Sequence, residues 1–499
     1  MAVVPPAAAP PPAPDDHEGE VRIEHDSLGE VRVPVAARWG AQTQRAIENF
    51  PISGERVPPE LIHALGSIKG VAATVNGRLR VIPKDVAATI HDAASEMSFG
   101  AFDDHFPLDV FQTGSGTSTN MNANEVLAHV ASERLGRPVH PNDDVNASQS
   151  SNDVFPSALR LAACWMIVRQ LIPALDHLHA ELRRLARAHV RTVKAGRTHL
   201  MDAAPVTFGQ EAGGWARQIE LARERLLDVL PRLGELPLGG TAVGTGLNAP
   251  PRFARGVIAI LAADMGLPLS EAVDHFEAQS AQDAVVEASA IAKVVALSLH
   301  KIAGDLRLLG SGPAAGLAEI ALPALQPGSS IMPGKVNPVI PEAVQQVTCE
   351  VVGKDAAVTF AATLSTFELN TAMPVMARSL LTSFRLLASS ARLLADRAIA
   401  GLTVDEAMMR RYAESSAALI TALNPVIGYE RAALVAKRAM AERRTVPDIV
   451  REEGLLDDEA IATLLDPLAL TGGGVRSAAP RVRPRPASRR RPEDPPVPG

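Results

Sequence analysis

Aromatic residues make up only 3% of this 499-residue chain, and cysteine occurs twice, at Cys164 and Cys349. Two cysteines cannot build a disulfide scaffold or a four-cysteine zinc site. They fit a reducing cytosol, with both thiols read as small core residues. No apolar run approaches the ~18–20 residues that cross a bilayer; the stretch from Val257 to Leu269 is interrupted by Asp264. The N-terminus lacks a basic n-region and a continuous apolar h-region, so it does not read as a signal peptide. These absences predict a soluble, cytoplasmic protein that does not enter membranes. Lys plus Arg number 49 against 56 Asp plus Glu, a net charge of −7, which argues against a dedicated nucleic-acid binder.

What the chain does have is 46% apolar residues, enough for a buried core, over a length that suggests roughly two to four domains. Residues 1–20 form a Pro/Ala-rich lead with six prolines in the first fourteen positions, an extended, flexible composition. At the other end, residues 476–499 hold seven Arg, seven Pro and two acids. This basic stretch, within a tail spanning 472–499, is not expected to fold. The body between reads helical. Leu171, Leu175, Leu178, Leu182 and Leu185 alternate spacings of four and three, and Leu380, Phe384, Leu387, Ala391, Leu394 and Ala398 repeat the rhythm up to Gly401. A third helix is predicted over 284–308, apolar around much of its circumference. Leu and Ala seams let helix axes approach without aromatic filler. The pattern divides into an N-terminal domain over 21–157, a central helical bundle over 158–400 and a C-terminal helical domain over 401–471. A short hairpin is predicted near Val21–Val35, with Gly29 in its turn. A bundle this long leaves apolar flanks on a monomer, so oligomerisation is expected.

Four polar segments interrupt the helical pattern. Thr113–Glu125 brings Ser, Thr, Gly and Asn ahead of a helical run, a combination that binds anions at a helix N-terminus. His140–Asp153 is again dense in hydrogen-bonding side chains. His140 with Asp143 and Asp144 lacks a second histidine at ligand spacing, so no metal is assigned. Gly196–Asp202 surrounds His199, a side chain suited to trading protons near neutral pH, with Arg197 and Thr198. Gly328–Pro338 looks like a phosphate loop but fails the test. Five residues separate Gly328 from Gly334 where four are required, and Val336 follows Lys335 where Ser or Thr must stand. What remains is a loop able to close over a small anion. The Gly-rich run 239–246 has no preceding strand and reads as a turn or close-packing segment.

Together these segments resemble the fumarase/aspartase superfamily, most closely the class II fumarases. The run GSSIMPGKVNP is similar to the superfamily signature, and the likeness spans the body but neither tail. His199 in GRTHLMDA, His140 in HPNDD and Gly334 look fumarase-like, where aspartases usually carry Gln, Asn and Ala. The wording Asn337–Glu342 reads closer to aspartases, and Lys354 stands where the family usually has Asn, which keeps an aspartate ammonia-lyase, or another fumarate-releasing lyase, as the alternative.

The resemblance implies an all-α fold of three domains around a central long-helix bundle. It implies a homotetramer whose active sites each draw on three subunits, with no metal or organic cofactor and no nucleic-acid partner. It implies reversible hydration of fumarate to (S)-malate, a tricarboxylic acid cycle step, through a carbanion. Ser329 would be the base at C3, and His199 the acid/base for the C2 hydroxyl, oriented by Glu342. Ser115, Gly116, Thr117, Ser150, Ser151, Asn152, Thr198, Ser330, Lys335, Val336 and Asn337 would bind the substrate. Arg137, His140, Pro141, Asn142 and Asp143 match a second carboxylate site of the family.

Overall fold

A computed structural model describes residues 20–475. The Pro/Ala lead up to residue 19 and the Arg/Pro-rich stretch from 476 lie outside the described residues. The described chain is overwhelmingly helical, and its strands pair only two at a time, in five small sheets. It gathers into two compact units. One holds residues up to Leu178, Gln218–Ala303 and Ile340–Leu394; the other holds His179–Arg217, Gly304–Val339 and Ala395 onward.

The first unit opens on the expected hairpin. Val21–Asp26 pairs antiparallel with Gly29–Pro34, closing at Asp26 opposite Gly29. Helix Pro59–Leu79 packs against helices Lys84–Ser98, Ser151–Met166 and Phe253–Met265. The small-residue seam acts here as anticipated: a Cβ added at Gly77 would sit 2.7 Å from the Ala87 methyl. The helix predicted over 284–308 spans Asp283–Leu309. The run from Leu380 lies in Met373–Leu393 and a following wider turn, Leu394–Ile399, and both end before Gly401.

Ser151–Ala188 is continuously helical and long and apolar enough to cross a membrane by composition, with mean hydropathy 1.4 over its most apolar window. That window is 72% buried inside the protein, as in the core helix of a globular domain. Its Arg160, 2% exposed, donates to the carbonyls of Glu235 (2.6 Å) and Ala278 (3.0 Å), so the buried cation is held by backbone oxygens.

Cys164 is buried as expected, but Cys349 is exposed. It lies on the outer stripe of helix Val339–Ala362 with Val352 (40% exposed) and Phe360 (70% exposed). Heptad-like spacing puts all three on one apolar face that a single chain leaves uncovered.

The second unit carries a hairpin that the helical reading did not foresee. Val193–Thr198 pairs antiparallel with Met201–Thr207, leaving His199 and Leu200 as a two-residue turn. Both have positive φ, 56° and 60°, the signature of a primed hairpin turn. Neither is Gly, Asn or Asp, so the usual sequence signal is missing. Short C-terminal helices close around Leu423, Val435, Ile449 and Val450.

Candidate active site

In the first unit, two helix N-termini come together. Helix Thr117–Leu135 starts at Gly116, whose φ of 76° a side chain rarely adopts. A Cβ there would lie 2.1 Å from the Phe155 ring, on helix Ser151–Met166. This contact admits only glycine and brings the start of one helix against the first turn of the other. The Ser115 and Thr117 hydroxyls sit 2.7 Å apart. Asn120, in the first helix, donates to Ser151 Oγ at 2.9 Å at the start of the second. Ser150 caps the second helix, accepting Asn152 N–H at 3.2 Å. Ser115, Thr117, Ser150, Ser151 and Asn152 are all half-buried. Four hydroxyls, an amide and the N-terminal ends of two helices therefore share one small region of positive potential.

Asp153 ties this region to the Gly-rich run. Fully buried, it accepts Ser150 N–H at 2.9 Å on one oxygen, and Gly239 N–H (2.9 Å) and Thr241 N–H (3.0 Å) on the other. Burial raises its pKa, against the three backbone N–H bonds and the Lys69 charge, which lower it. The anchored run turns back to accept the Asn152 side-chain N–H on Ala242 O at 2.8 Å. The run 239–246 is thus a close-packed turn, as read: a Cβ at Gly240 would meet Gln279 Oε1 at 2.1 Å. Lys69, 0% exposed, donates to Asn146 Oδ1 at 2.9 Å. Burial pushes its ammonium down to about 7 although the Asp153 charge pulls the other way. Lys69, Asn120, Asn146 and the anchoring role of Asp153 were missed in the sequence. The available signal was a lysine inside an otherwise apolar helix, Leu65–Val71.

His140 folds back to accept Asn142 N–H (3.3 Å) and Asp143 N–H (3.0 Å) on Nδ1, heading the turn Pro141–Val145. Asp143 Oδ2 also lies 3.3 Å from that nitrogen, which serves as the cap of the turn. Arg137 pairs with Asp85 at 2.5 Å, which lowers the Asp85 pKa.

In the second unit, Thr198 and the exposed His199 stand at the tip of the hairpin. Beneath them lies a buried ion cluster. Arg197 grips Glu319 with two bonds of 2.8 and 2.9 Å, and Lys194 lies 3.6 Å from Glu319 and 3.2 Å from Glu211. Lys194 and Glu319 are almost wholly buried; a two-plus-two cluster with bidentate geometry offsets the desolvation. Ser329 and Ser330 belong to the same unit. Ser329 Oγ accepts the N–H groups of Ile331 (3.2 Å) and Met332 (3.3 Å). The loop is pinned at its ends, with Gly328 N–H donating to Lys335 O (2.8 Å) and Asn337 Nδ2 to Gly328 O (3.1 Å). Residues 330–336 between are exposed. Glu342, half-buried in the first turn of helix Val339–Ala362, belongs to the first unit.

The architecture and these segments meet in known proteins. A family model described as lyase matches residues 29–353, and one described as fumarase C C-terminus matches 419–472. A class II fumarate hydratase of Mycobacterium tuberculosis is 55% identical over 461 residues, covering 91% of this chain and 97% of that protein. The chain belongs to the class II fumarase family. A class II fumarate hydratase of Xylella fastidiosa is 53% identical, covering 91% and 96%. A crystal structure of class II fumarase from Schistosoma mansoni matches with a TM-score of 0.89 at 35% identity, covering 91% of this chain and 99% of that one. The expected all-α fold is that of the family.

Proposed function

We propose that this chain is a fumarate hydratase that interconverts fumarate and (S)-malate. The observation that carries the reading is the meeting of two helix N-termini at Ser115, Thr117 and Ser150–Asn152, in a chain of the class II fumarase family. Taking a proton from C3 of malate creates a carbanion, tolerable only when its charge spreads into the neighbouring carboxylate. Catalysis therefore concentrates positive potential on that carboxylate. The paired N-termini do this with hydrogen bonds from Ser115, the Gly116 backbone, Thr117, Ser150, Ser151 and Asn152, and Thr198 adds to them from the hairpin of another copy of the chain. Lys335, Asn337, Ser330 and the Val336 backbone complete the binding when the 328–338 loop closes and excludes water.

Ser329 takes the C3 proton. The two N–H groups already aimed at its Oγ are donors that would stabilise the alkoxide a serine base requires. His199 delivers or removes the proton of the C2 hydroxyl group, and Glu342 from another copy of the chain orients it. Arg137, His140, Pro141, Asn142 and Asp143 form a peripheral carboxylate site. The assembly is a homotetramer, and each active site takes segments from three subunits. The uncovered stripe of Cys349, Val352 and Phe360 supports burial of that helix face by other copies. The enzyme works in the cytoplasm.

The test is an ultraviolet assay of fumarate with the purified protein, with and without ammonium. Loss of absorbance without ammonium, and its gain with malate, is expected. Loss only with ammonium makes the chain an aspartate ammonia-lyase instead.

A further inference from the structure

Ser151 stands at the end of a hydrogen-bonded chain that begins at the fully buried Lys69. Lys69 Nζ donates to Asn146 Oδ1 (2.9 Å), Asn120 Nδ2 donates to the same oxygen (3.2 Å), and Asn120 Nδ2 donates its second hydrogen to Ser151 Oγ (2.9 Å). The direction of this chain is set at Asn146. Lys69 donates along this chain and the Gln149 backbone carbonyl can only accept, so Asn146 turns its carbonyl towards Lys69. Its amide nitrogen then faces Gln149 O, where a bond of 3.3 Å is found. The doubly used carbonyl forces Asn120 to present its NH2 group, and that group occupies a lone pair of the Ser151 hydroxyl. The Ser151 O–H is thereby turned away from Asn120, free to donate outward. Side-chain amides alone could run this chain in either sense; the Lys69 donor and the Gln149 carbonyl, which only accepts, together remove the choice. Asn120 and Lys69 are both 0% exposed, so water cannot easily reverse it.

We infer that Lys69 is a positioning residue for the dicarboxylate, fixing through Asn146 and Asn120 the Ser151 hydroxyl as a hydrogen-bond donor to a substrate carboxylate. It touches no reacting atom and acts through Ser151. The inference rests on the fumarate hydratase reading for its substrate, but it concerns dicarboxylate binding and is testable without turnover.

The experiment is a double-mutant cycle on the full-length protein. Binding of succinate, an unreactive four-carbon dicarboxylate, is measured by calorimetry for wild type, Lys69→Met, Ser151→Ala and the double variant. Circular dichroism and sedimentation establish that each is folded and assembled. Lys69→Met is expected to weaken succinate about tenfold in the wild-type background and less than about twofold once Ser151 is alanine. A weakening under about threefold in the wild-type background, or the same factor in both backgrounds, overturns the proposal; a purely structural role would give the latter. If Lys69→Met does not fold, Asn146→Ser breaks the chain outside the ion, and the same cycle applies. Wild type that binds succinate but turns over neither malate nor fumarate removes the hydratase reading and leaves the Lys69 test standing. Wild type that does not bind succinate overturns both.

Discussion

Replacing Asp153 tests whether the N-terminal cluster is held by the carboxylate beneath it. Asp153→Ala removes the acceptor of three N–H groups, those of Ser150, Gly239 and Thr241, and takes away the counter-charge of Lys69. A buried donor left unsatisfied costs about 1–3 kcal/mol. Part of that loss is offset because a charged carboxylate is no longer held away from water, the effect that raises its pKa. The net expectation is a destabilisation of about 3–5 kcal/mol. Asp153→Asn keeps one oxygen, which can still serve Gly239 and Thr241, but sets an NH2 group against the Ser150 N–H. It sheds the burial cost of the charge, so about 1–2 kcal/mol is expected. Stability is read from urea unfolding at fixed protein concentration, because an assembling protein gains stability by mass action. Steady-state kinetics read the second consequence. The Gly-rich run anchored by Asp153 supplies the Ala242 carbonyl that holds Asn152, so Asp153→Ala should raise KM for malate about tenfold, roughly 1.4 kcal/mol of binding. The order Asn milder than Ala is the diagnostic part. An Asp153→Ala protein with unchanged urea midpoint and unchanged KM would refute the reasoning.

Other expectations follow from the same geometry. The Lys69 pKa is lowered from 10.5 to about 7, so between those values the unfolded chain binds more protons and stability rises with pH. Below about pH 7 both states carry the proton and the rise is absent; the wild-type minus Lys69→Met difference in urea stability should therefore climb by about 4 kcal/mol from pH 7 to 10.5, and a flat difference would contradict the burial argument. The raised Asp153 pKa works on the acid side instead, where stability falls as pH climbs through its folded value. Gly116→Ala should cost about 2–4 kcal/mol from a positive φ and overlap with Phe155, and should weaken malate binding; wild-type values for both would show that the helix start can relax. Ser329→Ala and His199→Asn should each lower kcat about 10²–10⁴-fold with far-ultraviolet dichroism unchanged, and wild-type turnover in either removes that residue from the mechanism.

The helices were legible because their signals are periodic. The Leu171–Leu185 seam and the run from Leu380 each repeat every three to four residues, and both fall in helices of the fold, the second ending before Gly401 as expected. The N-terminal hairpin was legible because Gly29 marks its turn. The hairpin bearing His199 was not, since its turn is built from His and Leu, which adopt positive φ at a cost of about 1 kcal/mol or more each. The polar segments were visible as composition, and the helix start at Thr117 falls where the Ser/Thr/Gly run announced it, whereas the start at Ser151, seven residues ahead of the expected bundle, was not read. What holds those starts was not visible. Asp153 reads as an ordinary first-turn acid, and only the fold brings Gly239 and Thr241 to it from 86 and 88 residues away. Lys69 was hidden for the opposite reason, since one lysine in an apolar helix reads as a solvated break in the pattern. Cys349 was assigned to the core from its type alone, and the register of helix Val339–Ala362 places it on the outer stripe.

The most direct test of the account is whether one active site is assembled from different copies of the chain. Ser329→Ala and Ser151→Ala subunits, each inactive alone as a homo-oligomer, are co-expressed in equal amounts, and the mixed oligomers are purified and assayed for malate dehydration. If Ser329 and Ser151 reach a site from different subunits, random mixing leaves both intact at about one site in four, so activity near a quarter of wild type is expected. Mixed oligomers as inactive as their parents would place both serines on one chain and contradict the shared site.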